Sequence, residues 1–126
     1  MTQQQATGGS LLMDCLIGLG AYKGFGVPGE SYLAVLDAMY DRADKFELIL
    51  CRHEGGAAYM AEAWGKLTGT PGICFVTRGP GAANASIGIH TAMQNSSPML
   101  VFVGQVGTDM RGREAFQEID YTHYFG

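Results

Sequence analysis

The sequence is poor in cysteine, in charge and in long apolar runs. Its three cysteines, Cys15, Cys51 and Cys74, stand far apart in apolar surroundings and form no CxxC pair. This spacing excludes a cysteine zinc site and favours small core residues in a reducing compartment. Apolar runs fall short of the roughly 20 residues that span a bilayer. With a net charge of −4, the sequence predicts neither a nucleic acid nor a membrane as the partner.

The first nine residues, MTQQQATGG, contain no charged side chain and no apolar stretch. They lack the basic start and apolar run of a signal peptide, so we predict a flexible N-terminus over residues 1–9 and a cytoplasmic location. A chain of 126 residues has room for one domain, since a domain takes about 100–200 residues. We therefore assign residues 10–126 to a single domain.

Short apolar stretches alternate with longer helical patterns along the rest of the chain. The extended stretches are 24–30, 46–51, 72–77 and 98–104, and the helical ones are 10–19, 31–44, 55–68 and 80–95. This alternation predicts an α/β fold with a three-layer, doubly wound parallel sheet. After residue 104 the pattern loosens into loop. Because such a sheet is expected to finish with another helix and strand, we predict a domain that lacks its last elements.

Two of the predicted helices have serine at the start. Ser10 is a candidate cap for the first helix, with Leu11, Leu12, Cys15, Leu16 and Leu19 on its apolar face. Ser31 is a candidate cap for the second, whose apolar face would contain Leu33, Leu36 and Tyr40.

Glycine-bearing loops follow each of the four predicted strands. They contain Val27-Pro28-Gly29, His53-Glu54-Gly55, Thr77-Arg78-Gly79-Pro80-Gly81 and Gly104-Gln105. In open α/β sheets, ligands bind beyond the carboxyl ends of the strands. Glycine lets a ligand or another backbone approach without obstruction by a Cβ atom. The loops therefore predict a binding site or an interface at this edge.

Familiar motifs fit these loops poorly. His53-Glu54 does not begin a zinc-protease HExxH motif, because Ala57 stands where the second histidine would be. There is no GxxxxGK phosphate loop, and we predict no metal ligands. Gly79-Pro80-Gly81 departs from the dinucleotide motif GxGxxG at Asn84, although the helix start there could hold an anion. A nucleotide-binding regulatory domain that uses residues 77–84 thus remains a distant alternative.

Glu54 is open to two interpretations. It stands between a buried strand and a helix rich in small residues. As an acid in the first helical turn, it would gain from the helix dipole and need no further role. Alternatively, it is a partly buried carboxyl that shares a proton with a ligand nitrogen.

Four segments together resemble a known family. They are FGVPGE (25–30), RHEGGAAYMAEAWGKLTG (52–69), PGICFVTRGPGAAN (71–84) and GQV…GREAFQEID (104–120). In this order and spacing, they resemble the pyrimidine-binding domain of thiamine-diphosphate enzymes, in the branch of acetolactate synthase and related carboligases and decarboxylases. The resemblance covers residues 10–126 and implies the thiamine-diphosphate-binding fold.

The resemblance implies a role for each loop. Glu54 would hydrogen-bond N1′ of the cofactor's aminopyrimidine and promote its imino tautomer, which removes the thiazolium C2 proton. Gly55, Gly56 and Ala57 would keep the helix start slim so that the ring can reach the carboxyl. Val27, Pro28 and Gly29 would line the pyrimidine pocket, and Thr77, Gly79, Pro80, Gly81 and Asn84 its neighbouring wall.

The same resemblance places Phe116 and Gln117 near the substrate end, although core packing explains Phe116 equally well. Two positions depart from the family pattern. Arg78 stands where a small residue is usual, so its guanidinium would intrude on the pocket or an interface. Gly24 replaces a β-branched residue in the first strand, which should weaken that strand.

The resemblance also implies a partner. In the family, a separate domain with a GDG motif, followed by Asn, holds the diphosphate and its Mg²⁺; this sequence has no such motif. The partner would be the diphosphate-binding domain of the same or another subunit, within a homo-oligomer. The chain alone would be inactive. The alternative function is a non-catalytic interaction or oligomerisation domain with the same fold.

Overall fold

The computed structural model describes residues 6–126. Residues 1–5 of the predicted flexible N-terminus lie outside the described residues. Helices and strands alternate through most of the chain: α1 Gly8–Gly18, β1 Lys23–Gly26, a 3₁₀ turn Glu30–Tyr32, α2 Leu33–Tyr40, β2 Glu47–Leu50, α3 Glu54–Thr68, β3 Gly72–Val76, α4 Pro80–Asn95, β4 Met99–Val103, a 3₁₀ turn Thr108–Met110 and α5 Tyr121–Phe125.

The four strands form one parallel sheet in the order β2-β1-β3-β4. The predicted α/β class with a parallel sheet is therefore confirmed. After β1 the chain adds β2 on one side, and it then crosses to add β3 and β4 on the other. The loops after β1 and β3 consequently diverge at the point where ligands bind in doubly wound sheets.

Helices cover both faces of the sheet, as the side chains of β3 show. Ile73 and Phe75 face α1 and α2, within a cluster that includes Met13 and Met39. Cys74 and Val76 face α3 and α4, where alanines form most of the core. All five residues of β3 are buried. This alternation confirms the three-layer arrangement, since a strand covered on both sides needs apolar residues in both directions.

The predicted start of α1 is wrong, and its predicted apolar face is only partly right, since Leu16 is buried and Leu12 packs against the core but others are exposed. Thr7, rather than Ser10, caps the helix, because the Thr7 hydroxyl accepts a hydrogen bond of 3.1 Å from the Ser10 amide. Leu19, assigned to the apolar face, is 86% exposed, while Met13 is fully buried. The helix is turned this way because Gly9 lies directly against the Ala34 backbone of α2. That close crossing decides which side faces the core.

The predicted cap of α2 is also wrong, and its predicted apolar face is only partly right, since Leu36 alone of the three predicted residues packs against the core. Ser31 lies in the 3₁₀ turn before the helix, and its hydroxyl pairs with Thr77 instead of capping α2. Leu33 and Tyr40 are exposed, whereas Ala38 and Met39 are buried.

After β4 the chain is mostly irregular, as predicted, but α5 was missed. Asp120 caps this short helix by accepting hydrogen bonds from the amides of Thr122 and His123. A single acid before the tyrosine Tyr121 is a weak start signal for a helix of only five residues. None of the helices in residues 6–126 is long and apolar enough to cross a membrane.

Helices α3 and α4 pack through small residues. A Cβ atom added at Gly88 of α4 would lie 2.5 Å from the Cβ of Ala58 in α3. Farther along α3, a Cβ atom at Gly65 would overlap the Pro98 carbonyl oxygen, while one at Gly56 would meet no atom within 4 Å. Only glycine fits at position 65, where the backbone of α3 lies against the Pro98 carbonyl. Position 56 has room for a side chain.

We expect Gly65→Ala to destabilise the fold by about 1–3 kcal/mol, because its methyl group would overlap the Pro98 carbonyl, which accepts a hydrogen bond from the Gly72 amide of β3. Gly56→Ala in the same helix should instead stabilise by about 0.5–1 kcal/mol, since it removes the glycine penalty without a clash. Urea unfolding of both variants measures the difference. Equal free energies of unfolding would contradict the packing described for Gly65.

Candidate functional site

Glu54 lies at the carboxyl edge of the sheet, where it opens helix α3. The His53 ring caps this helix, because its Nδ1 accepts a hydrogen bond of 3.0 Å from the Gly55 amide. Sequence reasoning missed this role, since histidine is not among the usual capping residues. The cap turns Glu54 inward, and the residue is only 9% exposed.

The two carboxyl oxygens of Glu54 have different surroundings. Oε2 accepts a hydrogen bond of 2.8 Å from the side-chain amide of Asn84, the fifth residue of α4. Among residues 6–126, the structure gives Oε1 no hydrogen-bond partner, and a Cβ atom at Gly81 would lie 3.4 Å from it. One oxygen is therefore held by the protein, while the other can bond to a ligand.

Thr77 joins the loops after β1 and β3 next to this carboxyl. Its hydroxyl lies 2.8 Å from that of Ser31. A Cβ atom at Gly29 would lie 2.6 Å from the Thr77 Cβ, and one at Gly81 would lie 2.8 Å from its methyl group. The fold thus brings Gly29, Thr77, Gly81, Asn84 and Glu54 into one neighbourhood, as the sequence predicted. Their roles toward a cofactor remain predictions.

Val27 and Pro28 form the rim of the same edge. The Val27 carbonyl accepts a hydrogen bond of 2.5 Å from the hydroxyl of buried Tyr32, and Pro28 is exposed. Burial raises the pKa of Tyr32 to about 12, and electrostatic interactions with Cys74 and Glu54 raise it further. Sequence reasoning missed Tyr32 as the support of this loop.

The small residues at the start of α3 do not all make room for a ligand. Gly55 faces the His53 ring and the Asn84 carbonyl, and Ala57 is fully buried in the core. Only Gly56 borders open space. The interpretation that all three keep the helix slim for a ring is therefore wrong for Gly55 and Ala57, which are small because α4 and the sheet lie against them.

The segment that contains Phe116 and Gln117 lies over the loop after β3. Arg78 does not reach toward Glu54; its Nε donates to the Phe116 carbonyl at 2.8 Å, and its Nη2 lies 2.6 Å from the Glu30 carboxylate. Phe116 is 72% exposed, so core packing does not explain it. The Gln117 carbonyl lies directly against Gly79.

The start of α4 has few free amides for an anion. The Gly79 amide donates to the Tyr121 hydroxyl at 3.0 Å, and the Gly81 amide donates to the Arg78 carbonyl at 3.2 Å. This weakens the predicted nucleotide alternative at residues 77–84. Pro80 is the first residue of α4 and has no amide hydrogen to offer.

The chain also contains a cavity of about 910 Å³ away from Glu54. It lies between Gln105 and the 108–122 segment and is lined by Arg111, Glu118 and Asp120, but by none of the predicted cofactor residues. Its size reflects a shallow polar loop region rather than a pocket at the carboxyl. In residues 6–126 no three histidine, cysteine or acidic side chains cluster as metal ligands would.

The chain is similar to one known protein family and to several curated proteins. Residues 6–124 match the family described as "Thiamine pyrophosphate enzyme, N-terminal TPP binding domain". The mitochondrial acetolactate synthase catalytic subunit of Aspergillus candidus is 44% identical over 114 residues, which are 90% of this chain and 16% of that protein. The acetolactate synthase large subunit of Pyropia yezoensis is 42% identical over 118 residues, 92% of this chain and 20% of that protein.

The acetolactate synthase of Bacillus subtilis strain 168 is similar to the same extent. It is 41% identical over 118 residues, which are 94% of this chain and 20% of the bacterial protein. The chain therefore spans a fifth or less of the length of these three relatives.

We expect the stability of the chain to fall as the pH rises from about 10 to about 12, because Tyr32 ionises near 10.0 when unfolded and near 12 when folded. Burial also raises the pKa of the Cys74 thiol to about 12, which adds a loss of the same sign. Tyr32→Phe should abolish the tyrosine part, on the order of 2 kcal/mol, across this window. Urea unfolding at a series of pH values measures it.

The matched control is Tyr22→Phe, because Tyr22 is exposed. This variant should keep the full loss of stability with pH. If Tyr32→Phe and the unmodified chain lost stability in parallel above pH 10, the buried, protonated state described for Tyr32 would be contradicted.

Proposed function

The chain belongs to the thiamine pyrophosphate (thiamine diphosphate) enzymes as an N-terminal TPP-binding domain, and we propose that it supplies the pyrimidine-binding part of an acetolactate synthase-like 2-oxo acid carboligase or decarboxylase. The predicted resemblance to this family is thereby confirmed. The observation that carries the proposal is the state of Glu54, a nearly buried acid with one oxygen fixed by Asn84 and the other without a partner among the described residues.

The residues at the carboxyl edge fit an aminopyrimidine ring. Gly81 presents no side chain next to Oε1 of Glu54, and a side chain there would also press on Thr77. A flat heterocycle needs this kind of gap to bring a ring nitrogen to the oxygen. When bound, thiamine diphosphate would supply a basic ring nitrogen and a thiazolium carbon that adds to a 2-oxo acid.

Glu54 would hold and transfer a proton at Oε1. The Asn84 amide keeps the carboxyl in one orientation, so no reorganisation is needed when a ring nitrogen arrives. Low exposure removes competing water and strengthens that hydrogen bond. A general acid or base at such a site contributes typically 10²–10⁴-fold to rate.

Val27, Pro28 and Gly29 would line the ring on the side of β1, and Thr77, Gly79, Pro80, Gly81 and Asn84 would form the other wall. Tyr32 supports the first of these loops through the Val27 carbonyl. Phe116 and Gln117 would lie at the substrate end, where exposed Phe116 has an apolar ring to offer.

We propose further that a diphosphate-binding domain of the same or another subunit completes the site and holds the diphosphate and Mg²⁺, within a homo-oligomer. Pro28 and Asn84 are exposed at the rim where such a domain would join. On this proposal the chain by itself does not turn over substrate. The cytoplasmic location stays a prediction, since the relatives include mitochondrial proteins.

The second candidate is a non-catalytic interaction domain of the same fold. It is favoured by the exposed apolar side chains of α4, Ile87 and Met93. Titrating thiamine diphosphate into the chain joined to a diphosphate-binding domain separates the two, because an interaction domain would bind its partner without raising cofactor affinity.

We expect the purified chain, supplied with thiamine diphosphate, Mg²⁺ and pyruvate, to form no acetolactate and no acetaldehyde. The physical reason is that, on this proposal, the diphosphate and Mg²⁺ are held by the partner domain, whose GDG motif this sequence lacks. Colorimetric assay of both products after prolonged incubation tests this. Product formation above a blank without protein would overturn the proposed division between domains.

A chimera tests the role of Glu54 directly. In it, this chain replaces the matching 118 residues of the Bacillus subtilis acetolactate synthase, with which it is 41% identical. If the chimera is active, Glu54→Gln should lower kcat by roughly 10²–10⁴-fold, because the amide cannot exchange the proton. The activity is measured as acetolactate formed from pyruvate.

The control is Glu47→Gln, which makes the same chemical change at an exposed residue of β2 that pairs with Lys23. It should leave kcat within about twofold, the scale of a surface ion pair. Full activity in Glu54→Gln would rule out the proton-transfer role while leaving family membership intact.

A further inference from the structure

The segment after β4 is attached to the sheet edge by few contacts. Residues 111–120 contain neither helix nor strand. Within the segment, the Glu118 carboxylate accepts hydrogen bonds from the amides of Gly112 at 2.7 Å and Ala115 at 3.2 Å. Gln117 has a φ of +63°, a conformation that costs free energy in a residue other than glycine. Such a segment needs outside support to keep one conformation.

Arg78 supplies much of that support. Its side chain is only 11% exposed, although it lies at the edge of the molecule. Its Nη2 pairs with Glu30 at 2.6 Å, and its Nε donates to the Phe116 carbonyl at 2.8 Å. The guanidinium also lies 5.8 Å from the centroid of the Phe116 ring, within the range of a cation–π interaction.

Contacts at Gly79 fix the segment beside this arginine. Gly79 has a φ of +46°, and its bare Cα lets the Gln117 carbonyl lie against it. The Tyr121 hydroxyl accepts from the Gly79 amide at 3.0 Å and donates to the Gly104 carbonyl at 3.3 Å. Tyr121 therefore holds the far end of the segment, while Arg78 holds its middle.

We infer that Arg78 is a positioning residue, which links Glu30 after β1 to the Phe116 carbonyl and so sets where the Phe116 and Gln117 side chains lie at the carboxyl edge. The assignment of those two side chains to the substrate end rests on the proposed function. The positioning of the segment by Arg78 does not rest on the proposed function, since it follows from the contacts of Arg78. A lysine cannot replace it, because a single ammonium group lacks the two separated, planar donors.

Hydrogen exchange of the full chain tests whether Arg78 holds the 111–120 segment in place. Arg78→Ala should speed exchange of the Gly112, Ala115 and Glu118 amides by roughly tenfold or more, the scale of losing hydrogen bonds to a charged group. Arg78→Lys should speed it by nearly as much. Amides of β3 and of the middle of α4 should be unaffected, which shows that the variant remains folded.

The matched control is Arg113→Ala, which removes an exposed arginine from the segment itself. Its guanidinium makes one long contact, 3.4 Å to the Asp109 carbonyl, so exchange of the same three amides should stay within about twofold. If Arg78→Ala leaves these amides as protected as they are in the unmodified chain, the inference is overturned.

Kinetics of the chimera test the consequence for substrate. Arg78→Ala should raise the KM for pyruvate by roughly tenfold and change kcat and the apparent affinity for thiamine diphosphate by less than about threefold. Faster exchange with an unchanged KM would overturn the link to substrate. Faster exchange together with full activity of Glu54→Gln would show instead that the proposed function fails while the positioning role stands.

Discussion

The hydrogen bond from the Asn84 side chain to Glu54 joins the N-terminal ends of α3 and α4, and the geometry of the carboxyl edge depends on it. A carboxyl that is 9% exposed is costly unless polar partners compensate for lost water. The Asn84 amide compensates at Oε2, at 2.8 Å. The helix start adds the favourable field of its dipole. The acid is therefore stable in place while its second oxygen remains available.

That hydrogen bond requires the two helices to approach closely, and small residues make this possible. Ala57, Ala58 and Ala61 are fully buried in α3, and Gly88 of α4 has no room for a side chain. Larger residues would push α4 away and carry Asn84 out of reach of Glu54. The run of glycine and alanine thus belongs to the helix–helix contact. This packing fixes the positions of Glu54 and Asn84, since side chains on rigid elements hold their positions better than those on loops.

The sequence predicted the sheet, α3 and α4 well because their signals are strong and local. β3 is apolar on both faces, and α4 begins at Pro80. The buried faces of α1 and α2 were predicted only in part, because both helices carry apolar residues on more than one side. Leu19 and Met13 are equally apolar, and only the close approach of Gly9 to Ala34 decides between them. Because that contact is between two helices, it cannot be predicted from the spacing of apolar residues within either helix.

The same distinction explains why the buried position of Glu54 could be predicted from the sequence and the support of the Phe116 segment could not. The signal for Glu54 is local: an acidic residue stands directly between an apolar strand and a helix rich in small residues, where a charged side chain is unusual. Arg78 and Phe116 are 38 residues apart, and their contact runs through a backbone carbonyl, which any residue could offer. The acid end of the edge is held by helix packing, whereas the 111–120 segment is held by polar contacts at an exposed surface. Segments of the second kind open at lower free energy than packed helices do. The carboxyl edge therefore combines a rigidly held acid, Glu54, with a more adjustable segment, residues 111–120. In a binding site of this kind, the acid would keep a fixed distance to a ligand, while the segment could adapt to the ligand's shape.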